Sequence, residues 1–329
     1  MTTHKERILT TLRGETPDRT PVALWRHFPH HDASAEGLAE RVVAFQQRYD
    51  FDLVKVTPVA GYPAEAWGAQ LYYLDNDHGT RGYTQRPVNA VDDWHNLAPL
   101  DVHEGLLGRE LEALKAVRAS VGNDVHVLQT IFSPLTIAKN LSDTLWKTHL
   151  ETDPEALHSG LKTIAHTTLE FAKASLASGA DALFFATQLA SYDELNEEQY
   201  KAFGVPYDLH ILEAVQASSE FTLLHAHGTN VMFDLVRQYP AQVLNWHDRR
   251  TAPSLAEGLK RFGGTALGGM NDHDTLVHGT PEAVRAEALE AIAQTGGKRL
   301  ILGAGCVTFT NTPEANIQAV RDAVEQRPS

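Results

Sequence analysis

The 329-residue chain has a single cysteine, Cys306. That excludes an intramolecular disulfide framework and leaves the residue as either an inert part of the core or a working thiol. No window reaches the about 18 consecutive apolar residues of a membrane span. The start, MTTHKERILTTL, is an amphipathic helical pattern with neither a long apolar core nor a small-residue cleavage site. Bases are scarce as well: 28 Lys and Arg stand against 42 Asp and Glu, a formal net charge of −14. Such a balance opposes non-specific association with nucleic acid or an anionic membrane. No GxGxxG follows the first strand-like run and no GxxxxGK[ST] occurs, so the usual nucleotide-binding folds lack their signatures. There is no internal repeat or low-complexity tract. The expectation is a cytoplasmic globular protein acting on a small molecule, away from nucleic acid and membrane; a homo-oligomer is compatible with this composition and not specified by it.

What the chain does contain is a regular alternation. Strand-like runs fall at 21–25, 51–57, 125–132, 181–187, 221–226, 242–247, 265–271 and 299–305, and most are separated by segments of helical periodicity. Short, nearly continuous apolar runs alternating with helices indicate parallel strands buried on both faces. Eight of them fit a closed (β/α)8 TIM barrel better than an open doubly wound sheet. The chain is therefore expected to be one barrel domain over 1–329, of class α/β. It carries an N-terminal extension and a long irregular insertion at about 58–104. Insertions of that length inside compact domains are usually functional or carry small elements of their own. A last helix is expected over 313–327.

In such a barrel chemistry sits at the C-terminal ends of the strands. Those ends carry Arg26, Thr57, Ser133, Gln188, His225 and His227, His247 and Asp248, Asn271 and Asp272, and Cys306. Ser, Thr, Asp and Asn are favoured helix caps in any case, and Asp248 and Asp272 are most readily read that way. Arg26, His225, His227 and Cys306 are poor caps. In FTLLHAHG (221–228) the two histidines are spaced to share one face of a strand. In LILGAGCVTF a thiol follows two glycines that let the backbone come close to whatever fills the mouth. Two imidazoles and one thiolate are enough protein ligands for a catalytic zinc with one open position. Arg26, Gln188, Asp248 and Asn271 are the candidate substrate contacts. A second metal in the loop holding His27, His30, His31 and Asp32 is a weaker reading. Arg81, Tyr83 and Arg86 of the insertion would either cover the mouth or brace a loop.

At this point the chain resembles the uroporphyrinogen decarboxylase superfamily. The likeness runs through ERILTTLRGETPDRTPVALWR, FDLVKVTPVAGYPAEAWG, GVPYDLHILEAV and TPEANI. A barrel is what the resemblance implies, independently of the strand count. True decarboxylases keep a second arginine a few residues after the first, where this chain has His30, and a GHG where it has Gly303-Ala304-Gly305. Their PWTxxxY segment is similar to the run from Ser133 to Asn140, without its tyrosine. The zinc-dependent methyltransferases of the same superfamily, which move methyl groups between corrinoids and thiols, carry HxC on one strand and a cysteine after a glycine near the last. His225-Ala-His227 and Gly305-Cys306 are similar, with an imidazole replacing one thiolate. Glu65 and Asp248 fall in segments shared with that branch.

The replacement changes the electrostatics. Zn2+ with two imidazoles and one thiolate carries a formal +1 where one imidazole and two thiolates give zero. A more positive site lowers the pKa of a bound thiol further and makes it a weaker nucleophile. Imidazole also admits a wider choice of metals. The resemblance thus implies a metal-dependent methyltransferase, with zinc as the expected metal, acting between a corrinoid or other methylated donor and a thiol, and with a corrinoid protein as a candidate partner. The alternative is a metal-free lyase acting on a carboxylated substrate anchored by Arg26. A third reading is a barrel that binds a corrinoid or metallophore without turnover.

Overall fold

The computed structural model describes residues 2–325. Strands β1 (Val22–Ala23) and β2 (Leu53–Val56) come first. They are followed by β3 (Gln70–Tyr73), β4 (Arg81–Gln85), β5 (His126–Phe132) and β6 (Ala182–Thr187). The chain continues through β7 (Thr222–Ala226), β8 (Val243–Trp246), β9 (Thr265–Met270) and β10 (Leu300–Ala304). Eight of these form one parallel sheet in the order β1-β10-β9-β8-β7-β6-β5-β2. These eight correspond one for one to the expected runs, because every one is an apolar segment buried along its whole length. Helices cover the outside, the longest being Pro154–Ala177. The fold is a (β/α)8 barrel. No helix among the described residues is long and apolar enough to cross a membrane.

The seam between the first and last strands in the sheet order, β1 and β2, is closed by a carboxylate rather than by a full ladder. Asp52 N–H donates to Val22 O at 2.9 Å, and Val22 N–H donates back to Asp52 Oδ2 at 2.8 Å. The same side chain, fully buried, accepts from Arg7 Nη1 at 2.6 Å, Arg19 Nη1 at 2.7 Å and His4 Nδ1 at 2.9 Å. The N-terminal helix His4–Leu12, started by a Thr3/Glu6 capping box, is thereby tied to the seam. The N-terminal segment works as a closure of the barrel.

The insertion folds into small elements of its own. β3 and β4 form an antiparallel hairpin, flanked by the short helices Tyr62–Ala66 and Asp93–Asn96. Arg81 pairs with buried Asp32 and lies over the Tyr73 ring, while Arg86 lies over Tyr83, so these residues brace the hairpin. Between its strands, Asp77 O accepts from Thr310 N at 2.7 Å, and His78 and Thr80 reach the barrel mouth. The last helix is observed at Glu314–Ala323; positions 326 and 327 of its expected span lie outside the described residues.

Candidate metal centre

The strand periodicity decides what faces the barrel axis. Alternate residues Lys55 and Thr57, Thr130 and Phe132, Phe184 and Ala186, His225 and His227 line a cavity of about 490 Å3 at the C-terminal ends of the strands. Gln188 continues the β6 alternation and lines it too. Arg26 does not. It falls between Trp25 and His27, which both face the cavity, so its guanidinium turns outward to donate to Thr310 O. Asp248 is likewise out of phase with His247: its carboxylate accepts from Gly269 N–H at 3.1 and 3.2 Å. Asn271 is spent on a turn, its Oδ1 accepting from the backbone of His273 and Asp274. Of the four candidate substrate contacts, the structure therefore brings only Gln188 to the cavity.

The three candidate metal ligands do meet, and a fourth residue joins them. His225, His227, His247 and Cys306 each offer a ligand atom, all within 4.8 Å of one another. Cys306 Sγ stands 3.7 Å from His225 Nε2 and 3.6 Å from His227 Nδ1, and His247 Nε2 is 3.3 Å from His227 Nδ1. Nitrogens at about 2.05 Å and sulfur at about 2.3 Å from a tetrahedral ion would be about 3.3 Å (N···N) and about 3.6 Å (N···S) apart. These three spacings match such edges, and the remaining ones lie within 4.8 Å. Hydrogen bonding explains them less well, because one ring nitrogen of His227 faces two neighbours and has only one proton or one in-plane lone pair. The residues present fit a tetrahedral cation.

One buried partner orients the His225 ring. His225 pairs in register with Asn245 on β8, and its Nδ1 donates to Asn245 Oδ1 at 2.6 Å. The Asn245 amide is fixed in turn, donating to Leu267 O at 2.8 Å and Ala304 O at 3.0 Å. This leaves His225 Nε2 free to bind. Asp272 Oδ2 lies 3.9 Å from His247 Nδ1, and both atoms are buried without a hydrogen-bond partner. A carboxylate behind a ligating imidazole is a recurrent arrangement in metal sites.

His247, placed from the sequence among the polar strand ends, is the candidate donor that the sequence reading did not set beside the other three. Its signal was present: VLNWH on β8 repeats the i, i+2 spacing of LLHAH on β7, and the register sets His225 beside Asn245. The glycines before Cys306 also serve differently from expectation. A Cβ on Gly303 would lie 2.7 Å from Ala23 O, and one on Gly305 would lie 2.8 Å from His247 Cα. Gly303 lets β10 lie close to its neighbour β1, and Gly305, just after β10, lets the chain pass close to His247 at the end of β8, which carries Cys306 to the histidines.

Electrostatically the cluster is prepared for a cation. Burial holds His225 well below its ordinary pKa, His227 down at about 4 and His247 at about 3, so all three rings are neutral at pH 7. Burial, with the charge of Asp272 behind it, pushes the Cys306 thiol up to about 12. A third neutral imidazole leaves the formal charge of a Zn2+ site at +1. The loop residues His30, His31 and Asp32 go elsewhere: His30 stacks on Tyr73, His31 meets Arg41, and Asp32 pairs with Arg81.

Fold and site together define a (β/α)8 barrel with a nitrogen-and-sulfur cluster in its mouth. The sequence profile of the uroporphyrinogen decarboxylase (URO-D) family matches residues 3–327, and the chain belongs to that family. It is 25% identical to a methylcobamide:CoM methyltransferase of Methanosarcina acetivorans, over 96% of each chain. It is 24% identical to a uroporphyrinogen decarboxylase of Prochlorococcus marinus, over 94% of this chain and 93% of the other. Among solved structures, a methyltransferase from Methanosarcina mazei superposes with a TM-score of 0.86, at 22% identity and 99% coverage of both chains.

Proposed function

We propose that the chain is a metal-dependent methyltransferase whose acceptor is a small thiol or related nucleophile. One observation carries this reading: four donor atoms, three nitrogens and one sulfur, converge within 4.8 Å of one another in the mouth of the barrel. The likeness to a methylcobamide:CoM methyltransferase along nearly the whole of both chains supports it. His225, His227 and Cys306 would hold the metal with His247 as the fourth donor, while Asn245 fixes the His225 ring and the Asp272 carboxylate lies behind His247. Zinc suits such a set because it has no ligand-field preference against a tetrahedron of three nitrogens and one sulfur. When bound, the metal supplies Lewis acidity that lowers the pKa of a thiol reaching it. Four protein donors require that an acceptor either expand the coordination or take the place of one of them.

The remaining residues act on the substrate. Gln188 reaches the cavity and can orient a polar group, and Phe132, Phe184 and Trp25 exclude water from the reacting atoms. A methylated corrinoid, the donor in the relative's name, supplies the methyl group in this proposal. Its macrocycle is larger than a cavity of about 490 Å3, so the methyl carbon would be offered at the opening, as a group borne by a partner protein. The metal-free lyase reading loses its anchor, since Arg26 points out of the cavity.

Metal analysis tests the proposal directly. Wild-type protein loaded with zinc and dialysed should retain about one equivalent, and Cys306→Ala and His225→Ala should retain far less. Equal, near-zero metal in all of them would overturn it. Methyl transfer from methylcobalamin to a panel of thiols, sensitive to chelators, is the expected activity. Corrinoid binding without any transfer would favour a non-catalytic role, and chelator-insensitive decarboxylation of uroporphyrinogen would favour the lyase.

A further inference from the structure

The cavity differs in sign from the molecule that contains it. In a chain of net charge −14, none of the residues lining the cavity is Asp or Glu, while Lys55 and Arg250 both line it. Lys55 is the unusual one. It projects from β2 into the barrel, its residue is 7% exposed, and among the described residues no carboxylate lies within ion-pair distance. Its Nζ donates to Thr57 Oγ1 at 3.1 Å, which occupies one of three N–H donors. Otherwise it meets aromatic faces, 4.5 Å from the Phe184 ring centre and 5.7 Å from that of Trp25. Ring quadrupoles stabilise an ammonium only in part, and a buried charge ordinarily has an ionic partner. Burial accordingly pushes Lys55 down to about 7. An anion arriving beside it would restore the charge.

The route from Lys55 to the metal cluster crosses one ring. Phe184 stacks on His225 with centroids 5.4 Å apart, and the same ring carries the Lys55 ammonium on its face. Trp25 and Phe132 add further aromatic wall. A cavity of about 490 Å3 lies in the range that encloses a drug-sized molecule.

We propose that the substrate of this cavity is a ring-bearing organic anion whose acidic group sits on Lys55 Nζ and Thr57 Oγ1. Its ring packs along Phe184, and its acceptor atom faces the His225/His227/Cys306 cluster. This rests on the reading of the cavity as the transfer site and narrows the acceptor to a class. Lys55 is the specificity-determining residue: it selects for negative charge and fixes which end of the molecule points to the cluster.

Calorimetric titration with probes that lack a thiol separates this inference from the metal proposal. Benzoate and benzenesulfonate present the two acid types, benzamide is the neutral counterpart, and acetate lacks the ring. The full-length protein is titrated as purified and again after chelation. At least one aromatic acid should bind tenfold or more tighter than benzamide in both preparations, and acetate should bind more weakly than benzoate. Lys55→Met, checked for an unchanged melting profile, should abolish the preference for acid over amide. Equal affinity for acid and amide, or a preference that survives in Lys55→Met, overturns the assignment of Lys55. Acid binding that disappears on chelation also overturns it, by assigning the anion to the metal. Acetate binding as tightly as benzoate removes the ring requirement. Should Lys55→Met not fold, Lys55→Gln and the wild-type comparison of acid with amide still decide the question.

Discussion

Loading the cluster with zinc should release one proton, and Cys306 should be its source across the whole range from pH 6 to 9. At pH 7.5 the three imidazoles are neutral, since burial holds His227 at about 4, His247 at about 3 and His225 well below its ordinary value. They have no proton to give up. The thiol, pushed by burial to about 12, is almost wholly protonated. Ionising it at pH 7.5 costs about 6 kcal/mol at 1.36 kcal/mol per pH unit, a cost that metal binding must offset. The apparent affinity should therefore rise about tenfold per pH unit without levelling off below pH 9. A cysteine of ordinary pKa, about 8.5 to 9, would bend the curve there and release only about half a proton at pH 9. The measurement is zinc competition against a chelating dye at several pH values. Calorimetry in two buffers of different ionisation heat counts the proton. A plateau near pH 8.5, or release of two or more protons at pH 7.5, would refute the reasoning. Cys306→Ala should lower the count by one.

Three other perturbations follow from the same geometry. Asn245→Ala leaves His225 Nδ1 and the carbonyls of Leu267 and Ala304 without their partner; about 2–4 kcal/mol of stability should be lost in urea titration, and zinc affinity should fall 10- to 100-fold. Gly305→Ala forces a methyl to 2.8 Å from His247 Cα, so the segments that follow β10 and β8 must part; circular dichroism should show an intact barrel and metal analysis a depleted one. Asp52, at the seam, has its pKa shifted in the opposite direction to that of the thiol. Desolvation alone would raise its pKa, but His4, Arg19 and Arg7 hold it down to about 2. Its contribution, about 2 kcal/mol, is present above the unfolded value near 4 and is lost as pH falls toward 2. Asp52→Asn should cost about 3–5 kcal/mol at pH 7, because two arginines lose their buried partner, and should flatten the dependence of the urea midpoint between pH 5 and 2.

The barrel was legible in the sequence because each of its eight strands is buried over its full length, so local composition and final environment agree. The run 125–132 differs from β5 by one residue, and 221–226 from β7 by one. The cluster was half legible. His225 and His227 announce themselves by alternation on one strand, and Cys306 by being the sole thiol. His247 carried the same alternation, yet only the register of β7 with β8 shows that the two strands present it to the same point. For Arg26 and Asp248, position at a strand end said polar and near the mouth. Phase, a matter of one residue, turned both away. Lys55 was hidden for the converse reason: inside an apolar run, a lysine gives no local sign of whether it faces the helices or the axis. Sequence by itself determined which segments are strands and which residue types they carry. Tertiary structure alone decided which of those side chains share a cavity, because in a closed parallel barrel the shared face is set by shear and register between strands far apart in the chain.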